Sequence, residues 1–233
     1  MEAIKQLNEI RQQVSECKKC KLHLTRNRSV PGEGPAESRV MLIGEGPGFH
    51  ENEQGKPFVG QAGKFLDELL GYAGLTREGV FITNVVKCRP PGNRDPELEE
   101  LVACRPYLEE QMGIINPPVI VTLGRFSMAH FIMDGKISTI HGKPVTINGR
   151  LIVPMYHPAA ALHQPALKSV LIEDFKKLPG IIEHGLMEIK EKTVQYEESS
   201  PKLEAMGEPH QQDAQQLSLF LMRFDSKLIN NED

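Results

Sequence analysis

The chain lacks a long hydrophobic run, an excess of positive charge, an internal repeat and any tryptophan, and it holds only four cysteines. No stretch approaches the roughly 18 consecutive apolar residues of a membrane span. The opening, MEAIKQLNEIRQQVSE, alternates charged with apolar residues where a secretory leader would carry an apolar block. A soluble, unexported, cytoplasmic protein is expected. In that reducing compartment thiols bind metal more often than they pair as disulfides. The net charge of -4 by itself argues for no nucleic-acid partner, but it is unevenly spread. From Met187 onward there are 10 acidic and 5 basic residues, against 21 and 22 before it. The body is near neutral, and a local basic face is compatible with that balance.

What is present suits one globular domain: 233 residues at 39% hydrophobic bury one full core, not two. Ile4, Leu7, Ile10 and Val14 have helical spacing and lead towards Cys17. Four apolar runs, Val40 to Ile43, Val80 to Val86, Val119 to Leu123 and Leu151 to Met155, read as strands. They are rich in Val and Ile without polar alternation, as in parallel strands covered on both faces. Helical stretches lie between them, notably Gly63 to Tyr72 and Gly124 to Met133. The expected fold is a three-layer α/β/α sandwich with a central, mainly parallel four-stranded sheet. Asp95-Pro96-Glu97 looks like an N-cap with proline at the first helical position, and Pro106 should kink or split that helix. Val170 to Leu186 closes a domain of residues 1–186. Residues 187–215 are too polar to offset their own ordering and read as a flexible linker before a tail, 216–233.

Cys17 and Cys20 form a C-x2-C pair in CKKCKL, Cys88 follows the second strand, and Cys104 falls near the proline break. Four thiolates suit structural zinc or a 4Fe-4S cluster, and spacing does not choose between them. Cys88 and Cys104 also read as ordinary buried thiols. The first strand ends in Gly44-Glu45-Gly46-Pro47-Gly48, where open α/β sheets form ligand crevices. This loop lacks the Gly-Lys-Ser/Thr ending of a nucleotide-phosphate loop. GKPFVGQAGKFLDELL then offers Phe58 in a loop before a helix. Asn84 interrupts the apolar second strand, and its amide supplies both the donor and the acceptor that reading a pyrimidine edge demands. The fourth strand leads to Tyr156-His157-Pro158, so His157 arrives at the same edge as GEGPG. Singly, each has a plain structural explanation: a tight turn, a core Phe, a satisfied Asn.

Together, CKKC, GEGPG, GKPFVGQAG, TNVVKCRPPGNRDP and YHPAA, in that order across about residues 10 to 180, resemble the family 4 uracil-DNA glycosylases. These are the thermostable-type, iron-sulfur branch of the uracil glycosylase superfamily. The resemblance implies the α/β/α glycosylase fold and an enzyme of base excision repair that flips uracil out of DNA and hydrolyses its N-glycosidic bond. It implies a structural 4Fe-4S cluster on Cys17, Cys20, Cys88 and Cys104. By the same resemblance Phe58 is the platform on which uracil stacks and Asn84 the reader of its polar edge. Gly46 stands where the best-known superfamily branch has a catalytic Asp, so catalytic importance passes to Glu45, Asn93 and His157. Uracil leaves as an anion while the sugar becomes cation-like. His157 then suits a donor to the uracil oxygen, and Glu45 or Asn93 suits water or the sugar cation. Leu162 is the candidate wedge for the gap left by the flipped nucleotide. The chain departs from the family in reading Ala161-Leu162-His163 where Leu-Leu-Arg is common, which bears on DNA affinity more than on chemistry. The rival readings are a family 5-type glycosylase with broader base range, which Glu45 argues against, and a noncatalytic iron-sulfur DNA-binding module, which leaves the pocket residues unexplained.

The tail holds Gln216-Leu217-Ser218-Leu219-Phe220, which resembles the peptide by which bacterial proteins dock on the replisome's sliding clamp. Gln216, Leu217, Leu219 and Phe220 are its candidate anchors. The alternative is a short amphipathic helix, Leu217 to Phe224, folded on the body. The expected setting is a monomer in the bacterial cytoplasm at the nucleoid, with no membrane contact.

Overall fold

The computed structural model describes residues 1–199, with side chains through Glu191. The chain opens with α1 (Glu2–Glu16), whose Ile10 and Val14 are buried, and continues through β1 (Val40–Gly44), α2 (Phe49–Gln54) and α3 (Gln61–Tyr72). Then come β2 (Phe81–Asn84), α4 (Leu98–Ile115), β3 (Val119–Leu123), α5 (Arg125–Ala129) and α6 (Ile137–Ile140). A hairpin of β4 (Val145–Ile147) and β5 (Arg150–Met155), then α7 (Pro158–His163) and α8 (Ala166–Ser199), complete the described part. Contacts gather Met1–Thr193 into one compact unit.

The sheet has the order β2-β1-β3-β5-β4, and the four expected strands form its parallel part. Successive residues face opposite layers. Val40, Leu42, Ile82, Val121 and Val153 pack with Phe65, Leu66 and Leu69 of α3 and Leu171 and Phe175 of α8. Met41, Ile43, Phe81, Ile120 and Ile152 pack with Leu108, Met112 and Ile115 of α4. Both faces are apolar, which is why these strands read as unbroken Val and Ile runs. The three-layer sandwich is the expected one.

A fifth strand is the difference. β4 pairs antiparallel with β5 around Asn148 and Gly149, both at positive φ (49° and 73°), a two-residue hairpin turn. Val145 and Thr146 are exposed and Ile147 packs on the core, so this edge strand shows only a three-residue alternation. Helix α4 also starts later than expected: its N-cap is Glu97, which closes a capping box with Glu100, so Pro96 precedes the helix. Pro106 does not split it. The hydrogen bond that proline removes is offset by burying Tyr107, Leu108, Gln111 and Met112 below it. The helix expected from Gly124 to Met133 is confined to α5. Helix α8 runs past Leu186 to Ser199, through a stretch rich in the helix formers Met, Glu and Lys. Gln216, Leu217, Leu219 and Phe220 lie outside the described residues.

Candidate active site

The chain reverses its direction of travel across the sheet at β1, which has β2 on one side and β3 on the other. At such a switch the C-terminal strand ends open a crevice. A cleft of about 370 Å³ lies here. Glu45 and Gly46 enter it from the end of β1, Asn84 from the last position of β2, and His157 from the N-cap of α7. Phe58 and Asn93 complete the expected set, so all six pocket residues named from the sequence line one cavity. Leu162 does not line it. It stands 46% exposed on α7, beside the lining residues Ala160 and His163.

Phe58 is held in a costly conformation. Its φ of 51° is unusual for a bulky residue, and such strain persists only where the surroundings over-determine it. Arg77 donates to the Phe58 carbonyl (3.1 Å) and to that of Pro57, while Glu33 (2.8 Å) and Asp67 (3.1 Å) fix its guanidinium. On the other side, the Glu51 carboxylate accepts from the backbone N–H of Val59 (2.8 Å) and Gly60 (2.9 Å). Gly63 is required beneath, since a Cβ there would overlap the Phe58 carbonyl. So braced, the Phe58 ring stacks on His157, with centroids 5.5 Å apart and planes 25° from parallel.

The His157 ring is neutral. Burial pushes its pKa down to about 4, with Glu51 opposing weakly. The Ala159 N–H donates to Nδ1 (3.1 Å), so the single proton of the neutral ring sits on Nε2. Asn84 is 1% exposed, and its Oδ1 has no hydrogen-bond partner among the described residues. Leaving a buried acceptor unpaired costs about 1–3 kcal/mol, so this oxygen is an open acceptor in the pocket. A Cβ on Gly44 would strike both this oxygen and the Phe58 ring, which explains the first glycine of the loop. Glu45 is pushed up to about 7, first by burial and then by Asp95, with Arg125 opposing. Asn93, exposed at the lip with φ 56°, accepts a hydrogen bond from Arg89 Nε (2.8 Å).

The family model described as the uracil DNA glycosylase superfamily matches residues 31–176. A type-4 uracil-DNA glycosylase of Saccharolobus solfataricus is 50% identical over 182 residues, covering 74% of this chain and 84% of that protein. One of Thermotoga maritima is 43% identical over 179 residues, covering 74% and 93%. The chain belongs to the type-4 uracil-DNA glycosylases. A type-5 uracil-DNA glycosylase of Thermus thermophilus is more distant, 37% identical over 151 residues, 56% of this chain and 68% of that one.

In this type-4 uracil-DNA glycosylase a second cavity holds the cysteines. Cys17 and Cys20 flank the turn after α1, Cys88 follows β2, and Cys104 lies on α4; all four line one space with Tyr107 and Arg26. Among the described residues no three His, Cys, Asp or Glu side chains gather tightly enough to hold a single ion. Three sulfurs accept N–H groups: Cys88 from Arg26 (3.1 Å), Cys104 from the Lys87 backbone (3.2 Å), and Cys17 from that of Lys19 (3.5 Å). Burial pushes Cys104 up to about 12 against the charge of Lys87, and raises Cys20 and also Cys88, the latter against Arg26.

Sequence reasoning missed several supporting residues. Arg77 and Glu51 look like solvated charges and instead clamp the Phe58 turn. Lys87 is fully buried, and its ammonium donates to Thr83 Oγ1 (2.6 Å), the Asn84 carbonyl (2.8 Å) and Gln111 Oε1 (2.8 Å). Its position inside the apolar run NVVKC was the available signal.

Proposed function

We infer that the protein is a DNA-repair hydrolase that flips uracil out of DNA and cleaves its N-glycosidic bond, leaving an abasic site. The observation that carries this reading is the buried, unpartnered Asn84 oxygen facing the same pocket as the Phe58 ring and a neutral His157. In it, uracil lies against Phe58, its ring N–H meets Asn84 Oδ1, and the Asn84 amide meets the adjacent carbonyl. As the bond from the sugar to the base breaks, negative charge gathers on the uracil oxygens. The His157 Nε2–H donates to one of them without first having to lose or gain a proton. Glu45 faces the cationic sugar, and Asn93, steadied by Arg89, helps orient the water that adds to it, the water's proton ending on the departed uracil anion. Leu162 fills the vacated stack.

Oligonucleotides containing uracil, hypoxanthine or no lesion, cleaved with alkali at abasic sites, test the reaction; failure on all three removes it. Asn84→Asp exchanges the amide donor for an acceptor and is expected to cut uracil excision about 10- to 100-fold. Full uracil activity in that variant, with none gained on cytosine, would show that Asn84 is not the reader.

For the cysteines we propose a 4Fe-4S cluster. The donor set fits it: four thiols from three chain segments around one cavity, with N–H groups aimed at three sulfurs. When bound, the cluster cross-links the end of α1, the exit of β2 and α4. Pure protein should be brown, with about four irons per chain. Cys104→Ser should lose iron and most of its folded yield, because the site ties distant segments together. Colourless, active protein with one zinc would identify the wrong metal.

We place the protein as a monomer in the bacterial cytoplasm at the nucleoid. No helix among the described residues is long and apolar enough to cross a membrane. Docking on the sliding clamp through Gln216, Leu217, Leu219 and Phe220 rests on their sequence pattern.

A further inference from the structure

One large exposed aromatic side chain lies next in the chain to the pocket lining and has no role in the reaction. Phe49 opens α2 directly after the lining residue Gly48 and is 53% exposed. It is not loose. The Arg89 guanidinium lies 5.3 Å from its ring centroid, and the His50 ring meets its edge at 5.4 Å and 81°. Arg89 is in turn tied by Nε to Asn93 Oδ1 (2.8 Å), a pocket residue. The ring is thus braced by a cation that is itself braced by the site. A single exposed Phe is ordinary on a protein surface. A flat apolar face paired with a guanidinium, joined to the pocket through Gly48 and Asn93, matches a nucleotide: a base to stack and a phosphate to neutralise.

We propose that Phe49 is a stacking platform for the base next to uracil on the same strand, with Arg89 on the intervening phosphate. This rests on the uracil-excision reading and adds a subsite to it. The strand must cross the mouth to deliver its uracil. Phe49 is exposed on α2 after the β1 end and Leu162 on α7 after the β5 end, with β3 between those strands. The geometry gives two apolar contacts from separate strand ends: a wedge for the gap and a platform for the neighbour. Stacking accepts any base, so the platform adds grip without sequence preference.

The test compares wild type, Phe49→Ala and Phe49→Trp on single-stranded uracil oligonucleotides. These carry either natural neighbours or a base-free sugar analogue immediately 5′ or 3′ of the uracil. On natural strands Phe49→Ala should raise KM about 10-fold with kcat held within about twofold, and Phe49→Trp should restore KM. With the neighbouring base removed on one side, wild type should fall to the Phe49→Ala level and the difference should vanish. An unchanged KM in Phe49→Ala, or a gap that persists whichever neighbour is removed, overturns the proposal. Fluorescence anisotropy with the same strands reads the platform without turnover. Inactive wild type that still distinguishes these strands would therefore refute the excision reading and leave the subsite standing.

Discussion

Replacing His157 with alanine is expected to lower the single-turnover rate of uracil excision by about 100-fold or more, while uracil-containing strands still bind nearly as well. The size follows from how the ring is prepared. Its pKa of about 4 keeps it uncharged across the working range, and the Ala159 N–H occupies Nδ1, so the Nε2–H is fixed before substrate arrives. A donor that needs no reorganisation acts most strongly where charge develops, in the transition state, and little on neutral bound uracil. His157→Gln, which can keep an N–H near the same place, should recover part of the loss. The pH profiles of wild type and His157→Gln should have the same shape around pH 6.5, the ordinary histidine value, because this ring is already neutral there. The loss of the Phe58 contact is controlled by comparing melting temperatures. A rate within about fivefold of wild type would remove His157 from the chemistry.

How much of this was legible depends on whether a residue breaks a local pattern. Asn84 stood out because an amide in FITNVV contradicts the apolar run around it, and its burial follows from the strand's place beside β1. The parallel core was legible for the same reason: strands covered on both faces have no polar alternation to hide them. Lys87 breaks the same run three residues on, yet a lysine is so commonly solvated that its type does not signal burial against Thr83, Gln111 and the Asn84 carbonyl. Arg77 and Glu51 were illegible for a stronger reason. Both bond backbone groups of the Phe58 turn, 19 and 8 residues away, and no side-chain pattern records a bond to backbone. The β4 hairpin shows the opposite failure. Asn148-Gly149 is a strong turn signal, but the strand before it is only three residues long with Val145 and Thr146 exposed, too short an alternation to stand out. The capping of α4 by Glu97 was hidden by Pro96, whose preference for the first helical turn pointed two residues too early.

Glu45→Gln should make the enzyme slower and the fold more stable at once. Burial, reinforced by Asp95, lifts this carboxyl to about 7 despite Arg125. The folded protein therefore keeps a proton there that the unfolded chain, with its carboxyl near about 4.3, releases on titration. Between about pH 4 and 7 the native state binds the more protons, so the stability contributed by this group falls as pH rises through that window and stays low above it. An amide at this position does not titrate, so the variant should melt higher than wild type at about pH 8 and nearly level with it at about pH 4. Activity should run the other way. The anion is the form that faces a cationic sugar, so wild-type kcat should climb with pH through about 7, while Glu45→Gln should be flat and about 100-fold slower at pH 8. The stability given up to hold a carboxylate in a partly dry pocket is then the same free energy that favours charge neutralisation when the sugar becomes positive. If Glu45→Gln keeps the rising limb, another group sets it. If it keeps the wild-type rate at that alkaline pH, the sugar cation is stabilised elsewhere, and Asn93 with its Arg89 brace becomes the residue to vary.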